Sequence, residues 1–291
     1  MENKTKEKIQ DVLGEVKELP TLPTIVTEIH DVTSNPKTCA AELGELISRD
    51  LVIAAEVLKV VNSAYYALLR SITTIKDAIV MMGFESVRNL AISVALVDKF
   101  GHRGKVGQFD RGRFWEHSLG VGVMSKIIAR KVGYSKDEGV FIAGLLHDIG
   151  KVILDLKTPY NFMEVIDMTF SRDILLSQAE KEVYGFTHAE VGQWLGEQWH
   201  LPESFCQTMG FHHNPRPILA TADFDMTAIV HIADIFARAI GIGSGGDNRI
   251  PKVNSSVWMR YQDKLTDDLP GLFDEIQGEM TKAEVFLSLL K

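Results

Sequence analysis

Cysteine is scarce in this 291-residue chain: there are two, Cys39 and Cys206, far apart and outside any CxxC spacing. That leaves no disulfide framework and no thiolate cluster for structural zinc or an iron–sulfur centre, and it fits a reducing, cytoplasmic compartment. Long hydrophobic runs are missing too. The longest, GVFIAGLL (139–146), falls well short of the ~20 residues that span a bilayer, and it ends in His-Asp. The opening residues MENKTKEKIQ are polar, so neither a signal peptide nor a membrane association is expected. Basic excess is absent: 31 Lys and Arg stand against 39 Asp and Glu, a formal net charge of −8. A broad basic face for nucleic acid is therefore not expected, although one local cation could still hold an anion. Alternating strand patterns are nearly absent as well.

What is present is helical periodicity. CAAELGELISR (39–49) places Ala40, Leu43 and Ile47 on one face, and residues 78–100 place Leu90, Val94 and Val97 at i, i+4, i+7. Residues 114–132, 138–154, 188–199, 226–240 and 281–290 also read as helices, so the expected fold is all-α, in two helical lobes. Three stretches read as breaks: LPTLP (19–23), GHRGKVGQ (101–108) and GIGSGGDNRIP (241–251). The second divides an N-terminal lobe, 1–104, from a C-terminal bundle, 105–291. THAE (187–190) fits a capping box with Thr187 as N-cap, which opens a helix at His188. In GFHHNPRP (210–217), Asn214 is expected as an N-cap with Pro215 at the first helical position. That would set His212 and His213 just before a helix start, where the chain can turn both rings inward.

The chemistry centres on FIAGLLHDIGKVIL (141–154), an apolar helix carrying His147 and Asp148 side by side. A buried ionised Asp is costly unless it is paired or binds a metal. Lys151 lies three residues on, so Asp148–Lys151 fits a plain ion pair at a helix end as readily as part of a site. Elsewhere His117, His188, His212, His213 and Asp234 punctuate apolar or helix-opening segments. Each has an ordinary reading alone: a lone His is more often a core or surface residue than a ligand, and Asp234 could pair locally with Arg238. His231, near Asp234, reads as surface or as support behind the site, and His30, His102 and His200 sit in polar or loop contexts. Together the selected residues are five imidazoles and two carboxylates with no thiolate, a set suited to iron, manganese or zinc. Seven ligands exceed one tetrahedral site and suit two divalent ions bridged by a carboxylate, with Asp148 the natural bridge. Such a pair can activate water and clamp a phosphoryl group, and Lys151 could then hold a phosphate oxygen. Arg113 and Arg216 are the candidate substrate cations.

HDIGK (147–151) resembles the core motif of the HD superfamily of metal-dependent phosphohydrolases. More of the chain resembles the HDOD family, HD-related output domains of bacterial signalling proteins. The carrying stretches are LPTLPTIVTEI (19–29), LISRDLVIAAEVLKVVNSAYY (46–66), ITTIKDAIVMMG (72–83), GLLHDIGK (144–151), THAEVGQWLGEQWHLPE (187–203) and the His212–His213 pair, which together span about 19–215. HDOD proteins are generally regulatory modules, and many have lost the HD-type ligands. Here the set matches that of the related HD-GYP cyclic-di-GMP phosphodiesterases. The resemblance implies one metal held by His117, His147, Asp148 and Asp234, and another by Asp148, His188, His212 and His213. Two departures bear on activity. Arg113 stands where some HD-GYP proteins carry a glutamate for a third metal. NPRP (214–217) stands where those enzymes carry a glutamate and a Gly-Tyr-Pro loop, so cyclic-di-GMP specificity does not carry over. Three functions stay open: a regulatory protein with a retained dinuclear centre and a signalling partner, a phosphohydrolase acting on a nucleotide or cyclic dinucleotide, and a metal-free interaction scaffold.

Overall fold

The computed structural model describes residues 3–14, 23–33, 38–101, 104–135 and 137–288. Most of LPTLP lies outside these, as do residues 102 and 103 of GHRGKVGQ. The fold is all-α apart from one small hairpin, and it divides into two compact units. One comprises Leu22–His102 and Asp274–Lys291, the other Met1–Thr21 and Arg103–Phe273. A single cut at 104 does not describe this division, because each end of the chain belongs to the unit of the other half. Among the described residues no helix is long and apolar enough to cross a membrane.

The helices in chain order are α1 (Asn3–Leu13), α2 (Thr24–Thr33), α3 (Ala40–Arg49), α4 (Leu51–Val61), α5 (Ile75–Met82) and α6 (Phe84–Phe100). In α3 the apolar stripe is Leu43, Leu46 and Ile47, while Ala40 is exposed at the first position. Asp50 starts α4 by accepting from the Val52 and Ile53 amides. The expected helix over 78–100 is two, parted at Gly83, whose φ of +90° favours glycine. Leu90, Val94 and Val97 are buried, as their spacing requires.

The site-bearing unit, which also holds α1, resumes with strands β1 (Lys105–Val106) and β2 (Phe109–Asp110), an antiparallel pair folded from the Gly-rich break. Then come α7 (Arg111–Val132), α8 (Asp137–Leu146), α9 (Ile149–Lys157), α10 (Pro159–Arg172), α11 (Leu176–Val183), α12 (His188–Gln198), α13 (Glu203–Phe211), α14 (Phe224–Ala239) and α15 (Ser255–Thr266). The expected helix over 281–290 is the end of a longer one, α16 (Leu269–Leu287). Helix α7 is buried on nearly every side and packs on α8 and α14. Glycine permits the closest approaches. A Cβ at Gly144 would meet the Gly122 Cα at 2.8 Å, and one at Gly150 would meet the His188 carbonyl oxygen at 2.1 Å. Gly150 therefore lets α9 cross α12 backbone to backbone, which sets Asp148 beside His188.

Candidate metal centre

His147 and Asp148 do not lie within one helix, as the sequence pattern implied. They form the turn between α8 and α9. Asp148 stands at the N-cap position of α9, yet its side chain caps nothing. Its carboxylate is engaged inward instead. Oδ2 accepts from Lys151 Nζ and lies 3.2 Å from His147 Nε2. Oδ1 lies 3.1 Å from His188 Nε2 and 3.4 Å from His212 Nε2. The two oxygens of one carboxylate thus face two different groups of imidazoles.

His117 comes from α7 and Asp234 from α14, with His117 Nε2 3.0 Å from Asp234 Oδ1. That oxygen is also 4.0 Å from His147 Nε2. The Thr187 capping box forms as expected and sets His188 in the first turn of α12. The His pair departs from expectation. It lies at the C-terminal end of α13, with the His212 amide closing on the Thr208 carbonyl, and no α-helix begins at Pro215. Asn214 is no cap, because its amide oxygen accepts from Asn254 Nδ2 instead. Only a single 3₁₀ turn, Arg216–Ile218, follows. Both rings nevertheless point inward, with centroids 4.0 Å apart, and His213 Nε2 reaches to 2.9 Å of His188 Nε2.

The protonation pattern can be read from what lies behind each ring. Nδ1 of His147 faces the Gly144 carbonyl at 2.6 Å, and Nδ1 of His212 faces the Met209 carbonyl at 2.8 Å. Nδ1 of His188 faces Glu180 Oε2 at 2.6 Å, and Nδ1 of His117 faces the Ile242 carbonyl at 3.3 Å. Each acceptor suits a ring proton on Nδ1, which leaves Nε2 of His147 and His212, the two with no hydrogen-bond partner, to turn a lone pair inward. Lone pairs then crowd carboxylate oxygens at the centre. The buried atoms His147 Nε2, His212 Nε2 and Asp148 Oδ1 have no hydrogen-bond partner. Polar atoms are rarely left so in a folded interior, and a bound cation satisfies all of them at once.

Electrostatics agree. Burial pushes His212 down to about 4 and holds His213 and His117 below the ordinary imidazole value, so these rings stay neutral. Burial would lower His188 too, but Glu180 and Asp148 outweigh it and raise its affinity for a proton. Burial alone would raise Asp148, yet His147, Lys151 and His188 hold it well below the usual carboxylate range. Asp234 is likewise held low, chiefly by Arg238 and His117 against its own burial. Asp148, His188, His212 and His213 offer ligand atoms all within 4.8 Å of one another, and so do His117, His147 and Asp148. Asp234 stands beside the second group, with Arg238 Nε on its Oδ1 at 2.9 Å.

Of the remaining candidates, Lys151 is wholly buried and spends its ammonium on Asp148 and the Gly245 carbonyl. The local pairs Asp148–Lys151 and Asp234–Arg238 both form, alongside the larger cluster. Arg113 lines a cavity of about 220 Å³ that reaches His117, together with Arg238, Arg249 and the 241–250 loop. A second cavity, about 210 Å³, reaches His188 and His213. Arg216 is exposed and lines neither. His231 is buried behind His212, with Nδ1 2.6 Å from the His212 carbonyl and Nε2 accepting from the Asn254 amide. Sequence reasoning missed Glu180, which holds both the backbone amide and the ring of His188. Its signal was an acid on the stripe Leu176, Ala179, Glu180. It also missed Asp247, whose Oδ1 accepts from Arg238 Nη1 at 2.9 Å.

Fold and site together define an all-helical protein with an HD-type histidine–aspartate cluster. The HDOD domain profile matches residues 19–215, more than half of the chain, and the chain belongs to the HDOD domain family. Its structure is similar to that of an HDOD domain protein of unknown function from Geobacter sulfurreducens, at 28% identity, 96% coverage of both chains and a TM-score of 0.78. A Shewanella amazonensis protein described provisionally as a phosphohydrolase shares the fold at 24% identity, 98% coverage of both chains and a TM-score of 0.73. An uncharacterized protein of Treponema pallidum (strain Nichols) is 26% identical over 227 residues, which is 73% of this chain and 42% of that relative. The chain thus spans less than half the length of this curated relative.

Proposed function

We propose that this HDOD protein is a regulatory module of bacterial cytoplasmic signalling whose site holds two divalent metal ions, iron or manganese before zinc. His117, His147, Asp148 and Asp234 would hold one, and Asp148, His188, His212 and His213 the other. The observation that carries this reading is the inward crowding of ligand atoms: imidazoles whose Nδ1 atoms lie against oxygen acceptors, with their Nε2 atoms facing both oxygens of Asp148. When bound, such ions would supply Lewis acidity and an acidic water. The chain's own residues fix ring tautomers, neutralise Asp234 through Arg238 and keep Asp148 ionised.

Regulation is favoured over turnover by the state of Lys151. A lysine that binds substrate phosphate must be open to it, and this one is wholly buried, its ammonium between Asp148 Oδ2 and the Gly245 carbonyl. The cavities at the cluster, about 220 and 210 Å³, are also smaller than the ~300–1,000 Å³ common for organic-ligand sites. A partner protein is the expected reader. The second reading, a phosphohydrolase, draws support from the cavity where Arg113, Arg238 and Arg249 stand beside His117. A hydrolysis screen of the Mn²⁺-loaded protein against phosphomonoesters and cyclic dinucleotides separates the two. We expect no turnover above that of Asp148→Ala. Turnover that depends on Asp148 would establish the second reading.

A further inference from the structure

Two cations of the site each bind a carboxylate at one end and the same loop at the other. Lys151 Nζ donates to Asp148 Oδ2 and, at 2.8 Å, to the Gly245 carbonyl. Arg238 donates through Nε to Asp234 Oδ1 and through Nη1 to Asp247 Oδ1, both at 2.9 Å. Two further ties join the same stretch: His117 Nδ1 to the Ile242 carbonyl, and Arg113 Nη2 to the Gly243 carbonyl at 3.0 Å. The loop that follows α14 is thereby strapped across the site, with Gly245, Gly246 and Asp247 buried. It is seated tightly. A Cβ at Gly243 would lie 2.3 Å from both the Arg113 carbonyl oxygen and the His117 amide, and Asp247 Oδ2 accepts from the Leu176 amide at 2.9 Å.

The ties are one-sided. Asp148 Oδ2 and Asp234 Oδ1, the oxygens that Lys151 and Arg238 hold, belong to the His117–His147 half of the site. Asp148 Oδ1, in the other half, faces the imidazole nitrogens of His188 and His212. His188 is held there by Glu180 on α11 and His212 by its own helix; Asp247 and Pro251 of the strap border the cavity at His188 and His213, but neither is hydrogen-bonded to these rings or to Asp148 Oδ1.

We infer that residues 241–251 form a strap that responds to filling of the His117–His147 half alone. The inference rests on the two-ion reading above. An ammonium, a guanidinium and a divalent ion cannot share two buried oxygens without strong like-charge repulsion. The two halves therefore fill in order, the His188–His212–His213 half first. Filling the second half turns Lys151 and Arg238 away from the carboxylates, and the strap loses two of its ties. Linkage makes the coupling reciprocal: whatever the strap's closure costs the second ion, the second ion costs the strap.

The test is a titration of the metal-free full chain with Mn²⁺, followed by calorimetry and by hydrogen exchange of the 241–251 amides. Two steps of unequal affinity are expected. Exchange in the strap stays unchanged through the first equivalent and becomes about tenfold faster at the second. Asp247→Asn should speed exchange without metal and tighten the second step by a similar factor. Two bound ions with strap exchange the same at zero, one and two equivalents would overturn the inference, as would a first equivalent that already frees the strap. The wild-type titration decides the matter by itself if Asp247→Asn does not fold. Saturation below two equivalents would instead sink the two-ion reading, and this inference with it.

Discussion

At the scale of single residues, the site depends on what stands behind each ligand. Glu180 is the clearest case. It is buried, and its Oε2 takes both the backbone and the ring N–H of His188. Glu180→Gln keeps the shape and an acceptor but removes the negative charge, so the ring loses the anion that makes its Nε2 a more basic ligand. We expect Mn²⁺ affinity of the His188 half to fall about 10–100-fold, read by competition with a chelator. An unchanged affinity would show that His188 needs no carboxylate. The cluster of candidate ligands was legible in the sequence, because five histidines and two aspartates interrupting apolar segments are chemically conspicuous. Glu180 was not, since an acid in an amphipathic helix such as LSQAEKEV looks solvated until the fold buries it. The Asp234–Arg238 pair could be read from i, i+4 spacing. Its extension to Asp247 could not, because that partner arrives from an irregular loop.

At the scale of elements, the site exists because α9 crosses α12 at contact distance. Gly150→Ala places a methyl 2.1 Å from the His188 carbonyl oxygen, so the two helices must part. The expected cost is about 1–3 kcal/mol in denaturant unfolding, with Mn²⁺ binding weakened in parallel. Loss of stability with full metal affinity would mean that the crossing does not position the site. Thr187→Ala removes a capping-box oxygen and should cost ~1 kcal/mol in the same assay. That cap was readable because its residue types and three-residue spacing are local. The turn at His147–Asp148 was not, since the apolar helical spacing continues through it from Leu145 and Leu146 to Ile149, Val152 and Ile153. At the break the Asp148 carboxylate leaves its own helix uncapped and turns to Lys151, His188 and His212 instead. The helix start expected at Pro215 failed because the Asn214 oxygen is taken by Asn254, forty residues on, and only one 3₁₀ turn follows.

At the scale of the whole molecule, helical class followed from periodicity, whereas the exchange of chain ends between the two units depends on contacts between residues far apart in sequence. Stability without metal should follow the histidines. Below the ordinary value of 6.5, the unfolded chain takes protons that folded His212, at about 4, refuses, and His117 and His213 act in the same sense. His188 acts oppositely, since its raised value contributes stability that is lost as pH rises through it. Below 6.5 the His188 contribution is already present, so the lowered rings, His231 among them, decide, and the Tm of the chelator-treated chain should fall as pH is lowered from about 6.5 to about 4. A flat Tm over that range would contradict the burial of these rings. The central claim is that Asp148 joins two metal ions, and elemental analysis of wild type and Asp148→Ala after anaerobic, metal-supplemented preparation tests it most directly. The account predicts close to two equivalents of iron, manganese or zinc in the wild type, and loss of more than one in the variant. No metal in the wild type, or a variant that keeps one ion or more, would contradict it.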